Sequence, residues 1–365
     1  MSEERISKHQ LAMMIVLFEI GSTPLFMLGM KAKQDAWLAM SAAAIIGLLL
    51  LLLFLGLQKK ERLLSLFGML RKYFGRRFGS FLGWSYVVYF GYESMRNVRD
   101  FGELMNLSLL SETPKYAIMS IIVVISMYGL MKGLEVFFRL PEILVPLVFF
   151  SYAGLILLFA VAELVHFQRL SPVLEQGIGP VLQAAFPEIV SFPFGQMVIF
   201  LLFWRLVQES ESIGKTTVCS YLSVAAFLIF MNALNLAVLG PALAGVSSFP
   251  FLQSVQLISV AEVFERMDVL MALLIFNGLL IKMMAFHLCA AMGIAELTSI
   301  PYQRWVIPVG LVIFATSFLE PSYTVHIWVG LVISVKIFTI FQIVIPVLLY
   351  TVMGIHGLYK KKTTA

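Results

Sequence analysis

Charge and cysteine are both scarce in this chain. Only 13% of its 365 residues are Asp, Glu, Lys or Arg, and the stretch 45–57 carries none of them. A soluble domain of this size could not hide the 60% of residues that are hydrophobic, so the soluble classes are excluded and a polytopic membrane protein remains. The two cysteines, Cys219 and Cys289, each fall inside an apolar segment. That spacing builds no disulfide framework and no metal site, and both read as packing residues. There is no Walker-type nucleotide loop, no Gly-x-Ser-x-Gly, no His-Glu-x-x-His and no paired-Cys motif. These absences argue against an enzyme, against a bound cofactor or metal, and against ATP-driven transport by this chain alone. The first apolar run has no small-residue cleavage pattern behind it and reads as a retained helix.

What the chain has in abundance is apolar length. Windows of about 20 apolar residues mark ten segments, at roughly 8–30, 35–57, 78–107, 116–131, 138–163, 178–207, 216–240, 268–292, 304–320 and 327–354. With the N-terminus inside, the cytoplasmic pieces hold seventeen Lys and Arg and the other side five. By the positive-inside rule both termini are expected in the cytoplasm. The same asymmetry accounts for the net charge of +5 without a nucleic-acid partner. The basic stretch 58–77 has Leu63, Leu64, Leu66, Phe67, Leu70 and Phe74 at a spacing that suits an amphipathic helix on the inner leaflet, with a solvated loop as the plain alternative. On the outer side, 171–180 and 254–266 are long enough for short helices that cover or gate a site.

Two segments carry signals against a continuous helix. In the first, Glu19-Ile20-Gly21-Ser22-Thr23-Pro24 interrupts an otherwise apolar run. In the sixth, Ser191-Phe192-Pro193-Phe194-Gly195 does the same. Unpaired backbone groups at membrane depth are tolerated only where protein covers them or a cavity is lined by them. A single break reads equally as a proline kink. Two breaks, five helices apart in segments of opposite direction, point to an inverted-repeat transporter fold with its site at the midplane. The expected architecture is a single all-α integral membrane domain over 1–365. It has ten transmembrane helices in a five-plus-five inverted repeat, halves at about 8–163 and 178–354, broken helices 1 and 6, and a cytoplasmic tail at 355–365.

At this point a resemblance becomes specific. Ser7-Lys8-His9-Gln10-Leu11, the Ile20-Gly21-Ser22 break, Pro172-Val173-Leu174-Glu175-Gln176-Gly177, the Ser191-to-Gly195 break and Phe264-Glu265-Arg266-Met267-Asp268 leading into Ile281-Lys282 occur in an order and spacing that resembles the permease-like B subunit of endospore germinant receptors. That family belongs to the amino acid, polyamine and organocation transporter superfamily, and the likeness runs over essentially the whole chain. It implies a multi-pass subunit in the inner membrane of a bacterial spore. Such a subunit senses a small nutrient, often an amino acid, and works with an A subunit and a lipoprotein C subunit. One departure is Gln196, where many members carry Glu: a neutral amide keeps its hydrogen bonds but loses the proton and the charge. Trp204 also stands where a proline is common.

A broken helix exposes N–H donors at one half-turn and carbonyls at the other. A zwitterionic amino acid complements that pair, its carboxylate meeting the amides of Ser22 and Thr23 beside Gly21, its ammonium the carbonyls before Pro193. Phe192, Phe194, Gly195 and Gln196 would shape the side-chain pocket, with lipid or core packing the plain reading of the two phenylalanines. Lys282, deep in the eighth segment, is costly unless paired or deprotonated. In related transporters a cation site lies between the first and eighth helices, so Lys282 either faces the carbonyls near Ile20 and Gly21 in place of an ion or forms an ion pair with Glu19. The third segment carries Glu93, Arg96, Arg99, Asp100 and Glu103, whose spacing allows the pairs Glu93 with Arg96, Arg96 with Asp100 and Arg99 with Glu103. These form a self-neutralising network or an outer gate in which Arg96 or Arg99 pairs with an acid on another helix. Glu142 and Lys336 read as further buried charges in packing or subunit contacts. His287 and His326 lack metal-like neighbours and read as simply hydrogen-bonded.

Two functions follow. One is a nutrient sensor whose midplane occupancy shifts a transporter-like helix arrangement. The other is a proton-coupled amino acid permease of the cytoplasmic membrane. The residues alone reach a small-solute site and do not separate the two; the resemblance favours the sensor.

Overall fold

A computed structural model describes residues 5–208, 213–258 and 267–363, with backbone only at 268 and 357–363. The Phe264-Glu265-Arg266 stretch and the outer segment beyond 258 lie outside the described residues. Among the described residues the regular structure is helical, and the sole strand-like pairing is an isolated parallel bridge between Ile6 and Val207.

The first helix, α1 (Lys8–Ile20), opens with a capping box in which Ser7 Oγ accepts from the Gln10 amide at 3.1 Å and Gln10 Oε1 from the Ser7 amide at 3.0 Å. There follow α2 (Ala36–Lys60), α3 (Leu66–Tyr73), α4 (Arg76–Ser108), α5 (Lys115–Met131), α6 (Leu134–Val161), α7 (Ile178–Ala184), α8 (Phe200–Phe203) and α9 (Ile213–Leu239). The chain continues through α10 (Pro241–Val246), α11 (Pro250–Gln256), α12 (Met267–Thr298), α13 (Gln303–Thr316), α14 (Tyr323–Trp328), α15 (Val335–Thr339) and α16 (Ile345–Thr363). Six helical stretches are long and apolar enough to cross a membrane: Met30–Lys60, Leu134–Val161, Ile178–Leu206, Ile213–Leu239, Val269–Thr298 and Tyr323–His356. The shorter apolar helices Lys115–Met131 and Gln303–Thr316 accompany them. In the last stretch α14, α15 and α16 run on through wide turns at Val329–Ser334 and Ile340–Val344.

The longest helices, α4 and α12, lie against each other at the centre, and α1 packs between α6, α9 and α12. Large rings fill the space between them, with Phe18, Phe90, Phe200, Phe286 and Tyr86 all fully buried. Side chains such as Ile45, Leu49, Phe149, Phe150 and Leu311 point outward instead. That suits a molecule whose surroundings are hydrocarbon.

Both sequence breaks are real interruptions. After α1 the chain leaves helical geometry at Gly21, makes a 3₁₀ turn over Thr23–Leu25, and turns again at Gly29 before Met30–Asp35 leads into α2. Gly29 has φ +84°, a left-handed conformation that glycine adopts without steric cost. The freed backbone is satisfied from other spans: Asn232 donates to Leu28 O at 3.1 Å, and Glu188 accepts from the Gly29 amide at 3.3 Å. The sixth segment leaves the helix at Phe192–Pro193 and resumes as a 3₁₀ helix at Phe194–Ile199, continuing through α8 to Trp204–Leu206. Neither break is therefore a simple pair of α-helical halves.

Other expectations change. The amphipathic stretch does form α3, but its buried face of Leu66, Phe67, Met69 and Leu70 packs on α4 and α12 and is not free for a leaflet. Ser65 fixes it, accepting from the Gly68 amide at 3.1 Å and donating to Glu296 Oε2 at 2.6 Å. Lys336, expected to be buried, is exposed on the outer face of the last span, because the wide turns on either side set which face residue 336 occupies. Cys219 is exposed and Cys289 buried. Residues 171–177 form no helix but a strap, held where both Asp35 carboxylate oxygens accept from the Leu174 amide at 3.0 Å.

Candidate functional site

Where the two breaks approach α4, they enclose a cavity of about 30 Å³. Ser22 and Phe26 line it from the first break, Phe192 from the second, and Glu93, Arg96, Asn97 and Asp100 from α4, with Gly330, Leu331, Val335 and Phe338 closing it from the last span. This volume admits about one or two waters and falls short of the smallest amino acid. Polar groups from the first break and from α4 thus meet around a space too small for a solute.

The site residues of the first break divide by role. The amides of Ser22 and Thr23 have no acceptor among the described residues, so the donors expected at a broken helix are uncommitted. Thr23 Oγ1 turns back to Glu19 O at 2.7 Å. Gly21 takes part through close packing: a Cβ built on Gly278 of α12 would lie 2.5 Å from Gly21 O and 2.8 Å from Gly21 Cα. The two backbones touch because position 278 has no side chain.

At the second break, Phe192 reaches the cavity and stacks edge-on to Phe26, with ring centroids 5.9 Å apart. Phe194 turns away, fully buried against Tyr221 at 5.5 Å and against Gly47 of α2. Gly195 leaves room for Gln342, whose Cδ would lie 2.8 Å from a Cβ there. Gln342 donates to Ser191 O at 3.0 Å and to Tyr89 Oη at 2.8 Å, and Ser191 Oγ donates to Val335 O at 2.9 Å. Gln196 Nε2 donates to Glu93 Oε2 at 2.8 Å, joining the second break to the cavity wall on α4.

Lys282 is fully buried, its stem against Gly21. Its Nζ lies 4.6 Å from the Phe192 ring centroid and 5.3 Å from that of Phe18, a double cation–π arrangement, and has no hydrogen-bond partner. Glu19 is equally buried with both carboxylate oxygens unpartnered, and no carboxylate comes within 4.0 Å of Nζ. The two groups are neighbours in the same water-poor region without a direct ion pair.

On α4 one charge pair is internal and the other charges take partners from other elements. Arg99 pairs with Glu103 at 2.9 Å, as the spacing allows, and Lys115 reaches Glu103 at 2.7 Å. Arg96 pairs with neither Glu93 nor Asp100. It donates to His326 O at 3.0 Å and lies 3.8 Å from Glu320 Oε1, because the 317–326 segment brings a carbonyl and a carboxylate within its reach. Asp100 Oδ1 sits 3.1 Å from His326 Nε2 and accepts from Tyr323 Oη at 3.1 Å, while His326 Nδ1 faces Glu320 Oε2. A neutral imidazole donates from one nitrogen only, whereas both neighbours are carboxyl groups. Two hydrogen bonds require either an imidazolium or one protonated carboxyl.

Glu320, Tyr323, His326, Asn97 and Gln342 were not singled out as site residues from sequence. The signal for Gln342 was a lone amide in an apolar span. For Glu320, Tyr323 and His326 it was their clustering within seven residues; Asn97 carried no signal beyond its place among the charges of α4. By contrast His287 is simply held between Ser126 Oγ at 3.0 Å and Val306 O at 2.8 Å. Glu142 is half-buried, 3.5 Å from Gln10 Nε2.

Comparison with known proteins bears on this arrangement. The family model described as spore germination protein matches residues 5–325. The chain is 30% identical to spore germination protein KB of Bacillus subtilis (strain 168), over 99% of this chain and 97% of that one. It is 25% identical to spore germination protein A2 of the same organism over 46% of this chain and 45% of the relative. With spore germination protein YndE it shares 21% over 54% and 55%.

Proposed function

This chain belongs to the spore germination protein family, and we propose that it is the nutrient-sensing membrane subunit of a spore germinant receptor, binding a small zwitterionic germinant, an amino acid, between its two broken spans. The observation that carries the reading is the contracted polar cavity itself. Ser22, whose amide is uncommitted like that of its neighbour Thr23, lines this cavity together with Asn97 and the carboxylates of Glu93 and Asp100, where two helices are interrupted. A carboxylate would dock on the amides and an ammonium on the carboxylates, with Phe192 limiting the side chain.

Several structural readings support this one without being required by it. Ten spans in two oppositely directed halves, about 8–163 and 178–354, with cytoplasmic termini, would put the breaks at equal depth. The Arg96–Glu320 and Asp100–His326 contacts act as an outer gate over the cavity. Since the contracted cavity is too small for the ligand, a germinant binds an expanded state and shifts the balance toward it only by its preference for that state. Partner subunits of the A and lipoprotein C type convert that shift into germination. Lys282 beside Gly21 occupies the place where related carriers hold a cation.

The test is germination of spores carrying Asn97→Ala or Ser22→Ala over a panel of single amino acids, with protein levels checked by immunoblot. A shifted concentration dependence for one nutrient at normal protein level supports the sensor. Unchanged germination with reduced uptake of labelled amino acid into vegetative cells refutes it in favour of a permease.

A further inference from the structure

The last span carries a charge that the cavity does not use. Lys336 lies on α15, about 20 Å along the helix from Tyr323 and about 30 Å from His356, the ends of the apolar stretch. Its side chain is exposed, and no ion pair or side-chain hydrogen bond engages its ammonium among the described residues. Around it Ile333, Ile337, Ile340 and Val344 are exposed along the same stripe. Among the described residues, every other charged side chain in the interior of a span is buried or half-buried, as Glu19, Glu93, Asp100 and Lys282 are, or stands near a helix end.

A lysine facing hydrocarbon at this depth is unfavourable, and its four-carbon stem reaches no farther than about one helical turn, roughly 5.4 Å, short of either end of the stretch. We infer that the Lys336 face is the docking surface for a transmembrane helix of a different polypeptide, one that presents an Asp or Glu at the matching depth. Charge complementarity selects the occupant. A second copy packed about a two-fold axis would set Lys336 against Lys336. Nor, among the described residues, does a second copy offer an acceptor in any other orientation, because the carboxylates in the interior of this chain's spans are buried or half-buried among its own helices. Lipid supplies no fixed carboxylate at mid-depth. The flanking wide turns at Val329–Ser334 and Ile340–Val344 hold residue 336 on the outer face, where uninterrupted α-helical phase would rotate it. The inference stands whatever the cavity binds.

The experiment places a photo-crosslinking amino acid at Ile337 in the full-length protein in spore membranes, and compares wild type with Lys336→Glu, Lys336→Leu and Lys336→Arg. The expected result is a crosslink to one heterologous chain, mapped by mass spectrometry to a transmembrane segment containing Asp or Glu. Lys336→Glu is expected to lower that crosslink by about tenfold or more, the change that a lost intramembrane ion pair gives, while Lys336→Arg keeps it. Exchanging the mapped acid for Lys in the partner should restore it in Lys336→Glu. Thermal unfolding of each purified variant guards against a folding defect. Crosslinks only to lipid, crosslinks only to a second copy, or full crosslinking in Lys336→Glu and Lys336→Leu would each overturn the inference.

Discussion

Replacing Gly278 by alanine tests the contact on which the geometry of the first break rests. The new methyl carbon would lie 2.5 Å from Gly21 O, 2.8 Å from Gly21 Cα and 3.0 Å from Gly21 C. All three atoms are backbone, so no side chain can swing aside; α12 or the break must move. Overpacking of this kind costs about 1–3 kcal/mol. Against it, alanine in a helix interior is better than glycine by roughly 0.5–1 kcal/mol. Gly91 of α4 supplies the control, because a Cβ there would meet nothing within 4 Å and only the helix gain remains. The two substitutions are chemically identical, yet the structure predicts opposite signs, with the Gly278 variant less stable than the Gly91 variant by about 1–3 kcal/mol, a five- to 150-fold difference in unfolding equilibrium. Unfolding of purified protein in mixed micelles by SDS titration measures that gap. In spores, Gly278→Ala should also move the germinant concentration dependence, since it shifts the amides of Ser22 and Thr23. Equal stability of the two variants would refute the close approach of α12 to the break.

Gln196→Glu places a second carboxylate beside Glu93, so at least one of the pair must take up a proton, and the pH profile of the spores' response to germinant should differ from that of wild type; an unchanged profile would contradict the Gln196–Glu93 contact. His326→Phe removes the link between Asp100 and Glu320 and should lower the germinant concentration for half-maximal response several-fold if this contact holds the gate shut, whereas an unchanged threshold at normal protein level would remove the gate. Outside the spans, burial pushes Glu61 up, but hydrogen bonds from Lys72 and Tyr73, the latter at 2.5 Å, together with the Lys72 charge leave it below its ordinary value. Its contribution is therefore complete above the unfolded carboxyl pKa and lost as pH falls through the lower folded value. Tyr73, raised to about 12 by burial and then by Glu61, contributes below about pH 10 and loses that contribution as pH rises through 12. Melting curves of wild type and Glu61→Gln should diverge between those two limbs and converge at both extremes; parallel curves throughout would show that Glu61 holds nothing.

The sequence alone determined the membrane class and the positions of both interruptions. Those follow from covalent chemistry close to the site: Pro24 and Pro193 lack an amide proton, Gly21 and Gly29 bend freely, and apolar runs of span length have no alternative solvent. It also marked Ser22 and Phe192, which the fold brings to the wall of one cavity, because helix breaks are local events. The tertiary structure decided the partners. Spacing on α4 offered Arg96 both Glu93 and Asp100, but the chain brought Glu320 and the His326 carbonyl to it from more than 200 residues away. Phe192 and Phe194 are indistinguishable by composition, yet one meets the cavity and the other fills the gap beside Gly47. Lys336 was expected inside and faces out, since helical phase across two wide turns depends on packing and not on periodicity. A break is written in the residues that make it, whereas a charge in a membrane takes whichever partner the fold carries to its depth, and that partner is set by long-range geometry.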